Sequence, residues 1–312
     1  MFSLATLAHV HLLLNHFPTV GFAVGLGLFV VALFAKSEDL KRASLVIFVG
    51  IAIIVIPAFM SGKAAEQAIA ESEGVSAELM TMHQDYALLA SVLMMITGFL
   101  AWLGLWQYRR SSRMAGWIVP AVLVFSLLTF GQMSLTATIG GEIRHPEIVS
   151  APTVAATPWV NAAAIAGYVN TTNWAWPATE SLHFIGLVLI LGVVLVVNLR
   201  MLGVMKSVSF SALHRLLPWA VLGLGVNLLT GLVFFVTVPG QYTQNVALQW
   251  KMIVMLIAMV DLFYLTVFDE AWTVRAGDDV PLRGKVIAAA TIFLWIGVVW
   301  FGRMMPFIGG SF

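Results

Sequence analysis

The residues of this chain best suited to chemistry are seven histidines, His9, His11, His16, His83, His145, His183 and His214, in a sequence with no cysteine. Without thiols, disulfides, thiolate metal sites, iron–sulfur clusters and covalent c-type haem attachment are all excluded. A metal would have to rest on His, Met or carboxylate. His16 and His83 carry the sharpest expectation. Each opens an apolar run entered from the same side, so the two imidazoles can meet at similar depth between helices, the way a bundle holds bis-histidine haem. His9 and His16 are seven residues apart, two turns along one helical face, whereas His9 and His11 cannot both chelate one ion from a helix. The bland alternative is that these residues hydrogen-bond at a membrane interface. His183 follows Glu180 by three residues, one turn, so the carboxylate could orient its imidazole. A second haem at His183 would need a borrowed ligand: His9, His11, His145, or the Met304–Met305 pair. His214, beside Arg215, reads as a helix-end or headgroup residue.

The elements that must position these groups follow from composition. The chain has 312 residues, 60% hydrophobic and 10% charged, which is far too apolar for an ordinary soluble domain. Apolar runs of about 20 residues, the length that crosses a hydrocarbon core, recur throughout. The expected fold is an all-α integral membrane bundle, with eight spans near 10–35, 43–60, 84–107, 116–138, 180–204, 215–238, 248–272 and 286–307. The first run lacks the basic opening of a signal peptide and is expected to be part of the fold. Net charge is +1, and there is neither a basic helix nor a phosphate-binding loop, so nucleic acid is not an expected partner. Twelve of the sixteen basic residues fall in odd-numbered connections, which the positive-inside rule places in the cytoplasm. Both termini, and every histidine except His214, are then expected on the periplasmic side of a bacterial inner membrane.

Two outer connections are long. Residues 61–82 are Ala/Glu-rich and expected to be helical at the surface. Residues 139–178 hold Pro146, Pro152, Pro158 and Pro177 and read either as a folded cap or docking surface or as a mobile loop. The organisation expected is a four-helix half over 1–138, this loop over 139–178, and a second four-helix half over 179–312. Asp261 and Asn227, deep in the seventh and sixth spans, are candidates for a polar cavity or proton path, though Asp261 could equally reach the interface or bond a neighbouring helix. Gln132, Ser134, Thr136 and Thr138 are expected to bond between helices.

The segments LNHFPTVGFAVGLGLFVVAL and MHQDYALLASVLMMITG resemble an uncharacterised four-helix bacterial membrane family marked by His-Phe-Pro in helix one and a His opening helix three. His16 and His83 stand at those positions. The segments SLHFIGLVLILGVVLVVNLRMLG and LHRLLPWAVLGLGVNLLTGLVFF resemble another uncharacterised family, distantly like copper-resistance D-type and b-type cytochrome membrane proteins, with His183 and His214 at the matching places. The combined expectation is a membrane electron-transfer subunit with b-type haem, linking a periplasmic redox protein or cytochrome c subunit to the quinone pool within a larger complex. Its rivals are a copper-binding or transport protein, against which the scattered methionines speak, and a cofactor-free anchor subunit.

Overall fold

A computed structural model describes residues 2–70, 72, 74–145, 158–268 and 270–308. Among them the protein is all-α, with no strand, and eight helical segments are long and apolar enough to cross a bilayer. It is a multi-pass membrane protein. The chain divides into two compact units, residues 1–167 and 168–312.

The N-terminal unit opens with α1 (Leu4–Leu14), a π-helical turn (Phe17–Gly21) and α2 (Phe22–Phe34). The first span is one helical segment, Leu4–Phe34, as the hydropathy predicts, with the π turn inside it. Pro18 accounts for the π turn, since it has no N–H to continue the ladder and its ring crowds the preceding turn. Thr19 Oγ1 lies 3.2 Å from the Asn15 carbonyl and 3.0 Å from that of His16, so its hydroxyl serves backbone acceptors freed at the π turn. Two long helices follow, α3 (Glu38–Ile69) and α4 (Ala77–Ser111), then α5 (Ile118–Arg144) and α6 (Ala162–Thr171). Ser37 and Ser76 cap α3 and α4 by accepting from Leu40 N and Leu79 N. The helical surface segment expected over 61–82 consists of extensions of α3 and α4 beyond the bilayer-length runs. α3 packs on α1, α2 and α4, and α4 packs on α5. Gly98 lets α4 approach α3 closely, because a Cβ there would collide with that of Ala52.

Of the predicted 139–178 loop, residues 139–144 continue α5, residues 146–157 lie outside the described part, and α6 supplies helical structure. Asp85, buried in α4, accepts from Ala162 N at 2.8 Å and so ties the start of α6 to this unit.

The C-terminal unit contains α7 (Ala175–Met201), the short α8 (Phe210–His214), α9 (Leu217–Thr237), α10 (Pro239–Thr243), α11 (Val246–Val267) and α12 (Leu282–Met304). The seventh span ends near 267 rather than 272, and a 3₁₀ turn covers Glu270–Thr273. α7 packs on α9, α11 on α12, and α12 on α7. Gly186 and Gly223 meet face to face: a Cβ on Gly223 would lie 2.6 Å from the Gly186 carbonyl oxygen.

Both units place polar groups inside and apolar ones outside. Thr97, Ser126, Thr129, Asn198 and Thr291 are fully buried, whereas Phe34, Phe293 and Leu13 are more than 70% exposed. That inversion suits lipid, in which an unpaired polar group is expensive and an exposed side chain of Leu or Phe is not.

Candidate functional site

In the N-terminal unit two imidazoles are held in matching ways. His11 of α1 has Nδ1 2.8 Å from the carbonyl oxygen of Ala58 in α3, and its ring lies over Gly62, one turn further on. His83 of α4 has Nδ1 3.0 Å from the carbonyl oxygen of Thr136 in α5, with its ring over Gly140, again one turn further on. A carbonyl can only accept, so each Nδ1 carries the ring proton and each Nε2 keeps its lone pair. Neither Nε2 has a hydrogen-bond partner among the described residues. The glycines are what allow the rings to settle, since a Cβ would stand 3.2 Å from His11 Cε1 or 3.0 Å from His83 Cε1. The two imidazoles lie close enough for their charges to be coupled. A further polar atom nearby in sequence, Asn15 Oδ1, is buried without a hydrogen-bond partner.

His9 and His16 share a helical face, as their seven-residue spacing implies, and that face is exposed. His9 Nδ1 bonds the carbonyl of Ala5 within its own helix at 2.7 Å. His16 caps the π turn next to Pro18. Of the histidines on the first helix, His11 is the one whose charge reaches that of His83. His145 is exposed at the end of α5.

The C-terminal unit treats its histidine differently. Thr230 Oγ1 donates to the Val226 carbonyl at 2.7 Å and therefore accepts from His183 Nδ1 at 2.8 Å. The amide of Asn227, turned with its nitrogen toward α7, donates to the His183 carbonyl at 2.8 Å and accepts from Leu187 N at 2.9 Å; the same nitrogen is 3.2 Å from His183 Nε2. That nitrogen is also 3.1 Å from Nδ1, so it lies across the ring, and the imidazole's own hydrogen bond is the one from Nδ1 to Thr230. Phe234 lies against this imidazole with ring centres 5.8 Å apart, and Trp176 against Phe234 at 4.8 Å. Lys251 of α11 is close enough to His183 for charge coupling, and its chain runs along Gly302 of α12. No hydrogen bond or ion pair holds its ammonium among the described residues.

Near the other end of this unit, Arg200 is fully buried. Its Nε donates to the Val208 carbonyl at 2.8 Å and Nη2 to that of Asp278 at 3.2 Å, and its guanidinium lies 4.5 Å from the centre of the Phe210 ring. Arg200 thus staples two connections together instead of facing water as a loop basic residue would. Asp279 pairs with Lys285 at 2.8 Å and Lys206 at 3.0 Å, which holds its carboxyl at about 2, below the usual range. His214 is buried, not at a headgroup surface: its ring lies 4.5 Å from that of Trp272 and its Nε2 3.2 Å from the Thr266 carbonyl.

The remaining polar expectations divide. Asp261 Oδ2 is 2.6 Å from Thr291 Oγ1 of α12, so the carboxyl bonds a neighbouring helix. Gln132 reaches the Tyr86 carbonyl of α4. Ser134, Thr136 and Thr138 instead donate to carbonyls four residues back in α5, because a short hydroxyl reaches its own helix first. A hydroxyl–hydroxyl contact between helices joins Thr97 of α4 and Thr129 of α5, at 3.2 Å. Outside the spans, burial and then the Glu180 carboxylate raise the Tyr242 phenol, which stays a neutral donor.

Reading the sequence undervalued His11 and Lys251. The signal for Lys251 was its isolation, as the one basic residue between Arg215 and Arg275. No family model, curated protein or solved structure matches the chain.

Proposed function

We propose that the protein is an electron-transfer subunit of the bacterial inner membrane whose N-terminal unit binds one b-type haem, with His11 and His83 as the axial imidazoles. The observation that carries this reading is the matched pair of rings on α1 and α4, each with Nδ1–H given to a backbone carbonyl and Nε2 left as a lone-pair donor. That is the arrangement of ligating histidines, in which the second-nitrogen bond fixes the tautomer and raises the basicity of the ligating atom. Bound haem would supply a one-electron couple. The chain's own part is to hold the rings on Gly62 and Gly140 and to surround them with apolar helices that keep water out.

In this reading His11 takes the role expected of His16, and the haem is placed in the N-terminal unit alone, since His183 has no second histidine paired with it in the way His11 is paired with His83. The termini face the periplasm, where a redox protein or cytochrome c subunit delivers or takes electrons, and the quinone pool is the partner within the bilayer. The distribution of Lys and Arg and the resemblance to cytochrome-like membrane families support that placement.

The test is a reduced-minus-oxidised visible spectrum with haem quantification on protein purified from haem-supplied cells. A b-type α-band at one haem per chain is the expected result. A colourless protein that binds copper through His11 and His83 would turn the same pair to copper handling, and one that binds neither would leave an anchor subunit.

A further inference from the structure

We propose that Asp261 of the C-terminal unit is a proton-binding site inside the membrane, its carboxyl group carrying a hydrogen that it donates to the Thr291 hydroxyl where α11 meets α12. The inference stands apart from the haem reading.

Asp261 lies fifteen residues beyond the start of α11, about 22 Å along the helix at 1.5 Å per residue, and Thr291 nine residues beyond the start of α12, about 14 Å along. Both helices are long and apolar enough to cross a bilayer, and the contact lies well inside each. Thr291 is fully buried. Asp261 is half-buried, and Ile257 and Val260 on the same helix are exposed apolar residues.

The position of one hydrogen decides the state of the carboxyl. Thr291 Oγ1 is 2.6 Å from Asp261 Oδ2 and 2.9 Å from the Ile287 carbonyl oxygen of its own helix. A hydroxyl has a single hydrogen to give, and a carbonyl has none. When Thr291 donates to Ile287, the hydrogen between Thr291 and Asp261 must come from the carboxyl, which is then COOH. Thr230 behaves in this way, donating to the Val226 carbonyl and accepting from His183. Thr97, Thr129 and Thr237 also give their hydrogens to the carbonyl four residues back. The other arrangement turns the Thr291 hydrogen toward an ionised carboxylate and leaves a full negative charge among apolar helices, the costlier state.

The charged and titratable groups of the surrounding elements stand further off. On α11, Lys251 is ten residues before Asp261, and His214 of α8 bonds the Thr266 carbonyl five residues after it. On α12, Arg283 and Lys285 are eight and six residues before Thr291, with Lys285 paired to Asp279, and Arg303 is twelve after. On α7, which packs on α12, Glu180 and His183 lie in the first third, and Arg200 lies at the far end, held by the Val208 and Asp278 carbonyls. Thr291, the group at hydrogen-bond distance, carries no charge to offset a carboxylate. The ligand of the site is the proton: an O–H bond forms at the carboxyl when it binds and breaks when it leaves, and no other bond changes.

The experiment is infrared absorption of the full chain in phosphatidylcholine nanodiscs at pH 7, read where the C=O stretch of a protonated carboxyl lies, above the amide I band. Wild type minus Asp261→Asn should show one such band, and it should move to lower frequency in D2O. Asp261→Glu should keep a band at an altered frequency, and Thr291→Val, which removes the acceptor, should move it upward. Asp85→Asn, in the N-terminal unit, should leave the Asp261 band in place. Melting curves check that each variant folds. Identical carboxyl regions in wild type and folded Asp261→Asn would overturn the proposal, as would a band that ignores D2O. If Asp261→Asn does not fold, the Asp261→Glu comparison decides, and an unmoved spectrum there overturns it. None of these readings requires haem, so a colourless protein that shows the band would sink the cytochrome reading and leave this site standing.

Discussion

The two units hold a half-buried imidazole with different partners. In the N-terminal unit, His11 and His83 each spend one nitrogen on a backbone carbonyl and keep the other available. In the C-terminal unit, Nδ1 of His183 goes to a side-chain hydroxyl of α9, that of Thr230, and the Asn227 amide lies across the ring. The lesson is that a histidine in an apolar helix is not by itself a ligand. What its partners are decides whether a lone pair is left. A carbonyl on a neighbouring helix fixes the tautomer and leaves Nε2 open at His11 and His83, while at His183 a Thr takes the Nδ1 proton and an Asn amide covers the ring.

The comparison can be broken most forcefully at Gly223. Its Cβ would lie 2.6 Å from the Gly186 carbonyl oxygen and 2.9 Å from the Leu189 Cβ, and a backbone oxygen cannot swing aside. Gly223→Val should destabilise the C-terminal unit by about 3 kcal/mol, the upper part of the range for overpacking. Thermal melting should show that loss, while any signal from the His11–His83 pair persists.

A smaller effect is expected at Gly140. An added methyl would stand 3.0 Å from His83 Cε1 and 3.2 Å from Nδ1, so the ring must move and lengthen its bond to the Thr136 carbonyl. Gly140→Ala should cost about 1 kcal/mol, the worth of one such hydrogen bond, measured as a lowered melting midpoint. The same substitution at Gly192, where a Cβ meets open space, should cost little.

The smallest effect is at Asp279. Its folded-state value of about 2 lies below the ordinary value of about 3.9 for an unfolded Asp. Its stabilising contribution is therefore present above roughly pH 4 and is lost as the pH falls through 2. The group is exposed, so salt screens the effect. Asp279→Asn should lower the melting midpoint slightly at neutral pH and low salt, and not in high salt.

Much of this fold was legible in the sequence because hydropathy fixes the number of spans, and Pro18 marks where the first one takes a π turn. The faces of the histidines were only half legible. The seven-residue spacing puts His9 and His16 on one side of their helix, but nothing in the spacing says that this side is the outer one. His11 and His16 are five residues apart, about 140° around the axis at 100° per residue, so only one of them can face inward. The choice is made by packing. Gly62 lies opposite His11 and leaves space for its ring, a complementarity between residues 51 positions apart that periodicity does not reveal. Lys251 was hidden for a related reason. It is one basic residue in a charge tally, whereas the course of its side chain along Gly302 of α12 depends on packing between residues 51 positions apart.

The most direct test compares three variants, His11→Ala, His83→Ala and His16→Ala, by the reduced-minus-oxidised spectrum of haem-supplied protein, with melting curves to confirm folding. The b-type α-band should vanish in the first two and persist in His16→Ala. A band that survives in His11→Ala and disappears in His16→Ala would contradict the assignment and place the ligand on the exposed face of the first helix.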